Sequence, residues 1–208
     1  MERPQFVVLV PVKDPDVGKS RLQVPAHLRP GLASAFALDT VHAAREADGV
    51  TEVLVVTADE GFAAVVAELG FARLGDAGDL NESLTAAAAA VREHHPTACP
   101  VALCADLPCL RPADLTAALR GVPDGLSAYV ADAAGSGTTM YAAAYDDFVP
   151  RFGPASAAAH ARSGAVPLAG ALATVRHDVD DEASLVAAMR LGVGRFTQDV
   201  VSVLGAGA

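Results

Sequence analysis

The chain has 208 residues, 52% of them hydrophobic, which suffices for one sizeable core and a single domain over 1–208, with two small domains as the weaker arrangement. Its formal net charge is -10 and its 15 Lys and Arg residues form no run, which excludes the electrostatic footprint of a nucleic-acid binder. No stretch reaches the ~18 apolar residues of a membrane span, and the N-terminal FVVLVPV is too short and too soon followed by charge for a signal peptide, so the expected location is the cytoplasm, with no membrane partner.

In chain order, FVVLVPV (6–12) is a β-branched run apolar on both sides, as a strand buried on both faces requires. EVLVVTA (52–58) and PVALCA (100–105) are like it. The segments between them, 31–47, 60–69 and 82–94, carry helical period, so the expected class is α/β with helices on both faces of a mainly parallel sheet. Cys99, Cys104 and Cys109 fit neither a disulfide framework nor a zinc site and are read as reduced, mostly buried thiols. After residue 125 the rhythm changes. SAYVAD and TMYAAAY are separated only by AAGSG, as in two strands joined by a glycine turn, which makes part of the sheet mixed. A short helix is expected from FGPASAAAH, a strand from ATVRHDV, and a helix from EASLVAAMRLG that ends at Gly192.

In an open α/β sheet the ligand sits at the carboxyl ends of the strands, which selects five segments. KDPDVGKS (13–20) fails as a phosphate-wrapping P-loop because Lys13 stands at the first glycine position and prolines stiffen the loop. What survives is a cationic rim of Lys13, Lys19 and Arg21 able to neutralise a triphosphate, or a set of ordinary solvated bases. In CADLPCL, Asp106 follows a buried strand and Pro108 halts regular structure; it is a metal ligand or a helix cap, and Asp114 is better placed to serve the next helix. Asp178 and Asp180, two apart on an extended segment, project to one side, and with Asp106 they form an oxygen-only set suited to Mg2+. Asp181 and Glu182 favour the start of the following helix. Pro154 at the first turn of a helix leaves open amides after Gly153 for an anion, and SGTT (136–139) offers a second anion cradle. Asn81 is either a nucleotide contact or a helix cap.

VPVKDPDVGKSRL, GDLNESLTAA, LCADLPCL, VADAAGSGTT, RFGPASAAAHARSGAV and RHDVDDEASL, in this order from about residue 6 to 194, resemble the CofC/FbiD family of guanylyltransferases, which activate a three-carbon phosphoacid in biosynthesis of the deazaflavin coenzyme F-420. The resemblance implies a nucleotidyltransferase fold like that of the nucleotide-diphospho-sugar transferases, GTP as donor and a Mg2+ requirement. It places the family's metal aspartates on Asp106, Asp178 and Asp180, and its phosphoenolpyruvate contacts on Thr138, Gly153 and Ser156. Two departures stand out: Ala105 replaces the glycine before Asp-Leu-Pro, and the first loop carries an acidic PDVG. The implied reaction joins GMP from GTP to phosphoenolpyruvate with release of pyrophosphate. The alternatives are transfer to 2-phospho-L-lactate, a related cytidylyl or sugar-nucleotide transfer, or a non-catalytic nucleotide-binding domain. The last is disfavoured because binding alone does not require three aspartates.

Overall fold

Residues 4–13, 22 and 26–206 are described by a computed structural model. Strand β1 (Phe6–Pro11) is central, and its neighbours are β2 (Val50–Val56) on one side and β4 (Cys99–Leu103) on the other, both parallel to it. Its side chains alternate between two cores. Phe6, Val8 and Val10 join one cluster with Leu38 and Val41 of α1 (Arg29–Arg45), Phe62 of α2 (Glu60–Glu68) and Leu115 of α4 (Pro112–Arg120). Val7 and Leu9 join the other, with Leu84 and Val91 of α3 (Leu80–Arg92). Every second residue faces the opposite layer, so a strand covered on both faces must be apolar throughout. Each fully buried Val or Leu contributes about 1.5–3 kcal/mol relative to exposure.

The sheet order is β3-β2-β1-β4-β6-β5-β7, with β3 at Ala72–Leu74, β5 at Ala128–Ala131, β6 at Thr138–Ala142 and β7 at Val166–Pro167. The expected hairpin is β5–β6, and β6 is antiparallel to both β5 and β4. This mixed pairing brings the start of β6 to the edge where β1, β4 and β5 end. The chain closes with α5 (Ser156–Arg162), α6 (Glu182–Leu191), which stops at Gly192 with φ +94°, and α7 (Arg195–Ala206). Helix α7 and strand β3 were not foreseen. No helix among the described residues is long and apolar enough to cross a membrane.

One expected element does not form. Residues 173–179 are not a strand: Val175 and Arg176 donate their amides back to the Leu172 carbonyl, and a turn results. The sheet is extended instead by β7, where Val166 donates to Ser127 O and Leu168 to Tyr129 O before Gly170, at φ +114°, turns the chain away. None of the three cysteines is in a disulfide, and burial pushes Cys99 and Cys109 up to about 11, which keeps them protonated and inert.

Candidate active site

Asp106 stands three residues beyond the end of β4. Asp178 and Asp180 arrive on the segment after β7, and the N–H of Val179 between them donates to the Asp106 carbonyl oxygen at 3.0 Å. One carboxylate oxygen from each aspartate lies within 4.8 Å of the others. Burial pushes the Asp178 carboxyl up to about 6, and the neighbouring charges of Asp106, Asp180 and Asp132 push the same way. An anion disfavoured by burial and by like charge is relieved by a cation, and an oxygen-only donor set suits a hard divalent ion. The residues present therefore fit such an ion.

Side-chain anchors hold the 172–181 segment in place of a β-ladder. The Thr174 hydroxyl donates to Asp114 at 2.7 Å and accepts the Arg111 N–H at 3.1 Å, so Asp114 ties this turn to α4. The Arg176 guanidinium reaches the carbonyls of Ala131, at 3.0 Å, and Leu168, at 2.6 Å, which lie near the ends of two neighbouring strands. His177 Nε2 meets the Ser184 carbonyl at 2.8 Å. Asp181 caps α6: its carboxylate accepts the Ser184 N–H at 2.8 Å while Ser184 Oγ accepts the Asp181 N–H at 3.0 Å. Asp181 serves the helix, and Asp178 and Asp180 face Asp106.

Thr138 opens β6 beside this cluster, since Cys104 N–H donates to Thr139 O at 2.8 Å. Its hydroxyl lies 3.0 Å from His160 Nδ1. The Arg151 N–H donates to His160 Nε2 at 3.0 Å, so the neutral ring carries its proton on Nδ1 and gives it to Thr138. His160 is completely buried between Tyr141, Tyr129 and Phe152, and burial lowers it to about 4, so it stays neutral. Ser156 is buried, and Gly153 adopts φ +136°, a conformation that favours glycine.

Two local readings need correction. Pro154 is outside α5, whose N-cap is Ala155 at φ +55°; of the two amides after it, that of Ser156 donates to Gly153 O, and the next, Ala157 N–H, donates to Ser136 O, both at 3.2 Å. The SGTT turn is no empty cradle either. The Asp132 carboxylate fills it, accepting the Ser136 N–H at 2.9 Å and the Gly137 N–H at 2.7 Å. The chain's own acceptors have taken the amides of Ser136, Gly137, Ser156 and Ala157, and the Ser136 carbonyl joins the β5–β6 turn to α5.

No family model matches the chain. It is 46% identical over 199 residues to the phosphoenolpyruvate guanylyltransferase of Streptomyces avermitilis, covering 93% of this chain and 92% of that protein. The chain belongs to the phosphoenolpyruvate guanylyltransferase family. The protein of that name from Streptomyces coelicolor is 44% identical over 206 residues, covering 96% and 97% of the two chains. Among solved structures, the fold matches a nucleotidyl transferase from Methanothermobacter (TM-score 0.63, 16% identity, 90% of this chain and 97% of that one). It also matches a Mycobacterium tuberculosis protein in complex with manganese (TM-score 0.58, 19% identity, 91% and 100%). These likenesses, with that to a nucleotide-diphospho-sugar transferase from Desulfovibrio desulfuricans (TM-score 0.61, 18% identity, 80% of each chain), show the nucleotidyltransferase fold.

In this guanylyltransferase-family chain, Lys13 lies past the end of β1 in a recess shared with Asp76, Gly78, Leu80 and Ser83. The Asp76 carboxyl is held below its usual range by the Ser83 hydroxyl first, then by the Gly78 N–H, with the charge of Lys13 helping. Lys19 and Arg21 lie outside the described residues. Asn81 is not the cap of α3. Asp79 is, accepting the Asn81 N–H at 2.9 Å. The Asn81 amide pairs both ways with Phe152, donating to its carbonyl at 3.0 Å and accepting its N–H at 2.8 Å, which ties α3 to the loop carrying Gly153. Three contributors were missed from the sequence: Asp132, Arg176 and His160. Each lay inside a quoted motif, and its role depends on partners 4 to 45 positions away.

Proposed function

We propose that this chain transfers GMP from GTP to phosphoenolpyruvate, residues 1–208 acting as one cytoplasmic nucleotidyltransferase unit. A phosphate oxygen of phosphoenolpyruvate attacks the α-phosphorus of GTP in line; the bond from that phosphorus to the bridging oxygen breaks, pyrophosphate leaves, and enolpyruvyl-diphospho-guanosine forms. The nucleophile is already anionic, so no general base is needed, and the work is positioning and charge neutralisation. Asp106, Asp178 and Asp180 hold Mg2+, which when bound supplies positive charge to the phosphate oxygens. Thr138, Gly153 and Ser156 form the acceptor side, and Thr138 suits this role because His160 donates to its oxygen and leaves the hydroxyl proton for an anion. Lys13 and Asn81 serve the nucleotide side, with Asn81 acting through Phe152, and the sequence alone assigns Lys19 and Arg21 to the same role. Manganese in a chain of the same fold supports a divalent ion.

The observation that carries this reading is the convergence of three carboxylate oxygens within 4.8 Å at the strand-end edge, in a chain of this family. The test is pyrophosphate release from GTP with phosphoenolpyruvate and Mg2+, with mass spectrometry of the product. Turnover that stops with EDTA or without phosphoenolpyruvate is expected. Faster release with 2-phospho-L-lactate, or with CTP in place of GTP, would overturn the acceptor or the donor assignment.

A further inference from the structure

We infer that Thr40, buried in the middle of α1, is a positioning residue that sets the direction of Asp106. The inference rests on reading Asp106 as a metal ligand. Beyond β4 the last ladder-like bond is Cys104 N–H to Thr139 O, and Ala105-Asp106-Leu107 then crosses the strand-end edge as coil. The peptide groups on both sides of Asp106 nevertheless have fixed partners, and both partners are the same oxygen. Thr40 Oγ1 accepts the Leu107 N–H at 3.1 Å and lies 3.1 Å from the Ala105 carbonyl. It also lies 2.8 Å from the Phe36 carbonyl one turn back, so its single proton is shared between two carbonyls while a lone pair takes the amide. With Val179 N–H on the Asp106 carbonyl, each peptide group around the aspartate is held.

The platform is rigid. Residues 35–41 of α1 are buried without a break, and Thr40 and Leu107 are both 0% exposed, so water cannot stand in for the hydroxyl. A buried polar side chain in a helix otherwise packed on the core needs a partner, and here the partner is the loop bearing a ligand aspartate. Ligand carboxylates must be held within about 0.5 Å of the productive geometry, and losing an outer-shell support costs about 10- to 100-fold in metal affinity.

The test is calorimetric titration of MnCl2 into the wild-type chain and three variants without nucleotide, beside thermal melts. Thr40→Val keeps the shape and deletes the hydroxyl, and its Mn2+ affinity is expected to fall about tenfold. Thr40→Ser keeps the oxygen and should stay within about twofold of wild type on the same scale. Val41→Ala opens a cavity in the same helix and touches no loop bond, so it should lower Tm and leave Mn2+ binding intact. Wild-type affinity in Thr40→Val, an equal loss in Thr40→Ser, or an equal loss in Val41→Ala would each overturn the positioning role. Wild type that binds no Mn2+ at all would instead overturn the metal reading on which the inference rests.

Discussion

Val179 donates its amide to the carbonyl of Asp106 at 3.0 Å while its side chain is buried against Leu185 and Ala188 of α6. One residue thus joins the strand-end loop to the helix that follows the second and third aspartates, and the carboxylates on either side of it share one site. Val179→Ala should cost about 2 kcal/mol of stability through the cavity it leaves. It should also weaken Mn2+ binding, because the segment loses its anchor. Urea denaturation and metal titration on the same sample check both.

The three aspartates should act jointly. Asp106→Asn, Asp178→Asn and Asp180→Asn are each expected to reduce the rate of pyrophosphate release about 100-fold or more, equivalent to ~3 kcal/mol of transition-state stabilisation. Asp181→Asn should keep its rate, because that carboxylate caps α6 and asparagine is itself a good cap. A Mg2+ titration of each variant separates the two classes, and wild-type rates in Asp178→Asn would contradict the assignment.

Stability should depend on pH through two buried groups of opposite sign. Asp178 holds its proton to about 6 in the folded chain against an ordinary 3.8, so its contribution is full below the lower value and lost as pH rises through the upper. His160 resists its proton until about 4 against an ordinary 6.5, so its contribution is full above 6.5 and lost as pH falls. Between these limits the two oppose each other. In EDTA, Asp178→Asn should therefore melt higher than wild type at pH 8 and lose stability more steeply as pH falls from 6 to 4. Parallel Tm profiles for the two proteins would refute this.

On the acceptor side, Ser156→Ala is expected to weaken phosphoenolpyruvate binding by about 1–2 kcal/mol, the scale of a hydrogen bond to a charged group, with GTP binding unchanged. Gly153→Ala meets open space but carries a Cβ at φ +136°, so backbone strain should lower its Tm as well as its acceptor affinity. Calorimetry with each ligand, read beside the melts, distinguishes a binding defect from a folding one.

Strands β1, β2 and β4, helices α1 to α3 and the β5–β6 hairpin were legible in the residues, because a strand covered on both faces must be apolar throughout and a glycine turn must join close strands. The grouping of Asp106, Asp178 and Asp180 into one oxygen-only set was legible as a proximity, since one carboxylate oxygen of each lies within 4.8 Å of the others. Tertiary structure decided the rest. ATVRHDV alternates like a strand, yet it is held by Asp114, Ala131 and Leu168, partners its own pattern cannot reveal. β7, only two residues long, left no periodicity to read. The amides of SGTT looked open because local sequence displays donors but not their acceptors, and only folding brings Asp132 onto those of Ser136 and Gly137 and the Ser136 carbonyl onto that of Ala157. A side-chain period reports which face is buried; hydrogen-bond partners are chosen by the packed chain, where each buried N–H must be satisfied by whatever oxygen the fold brings within reach.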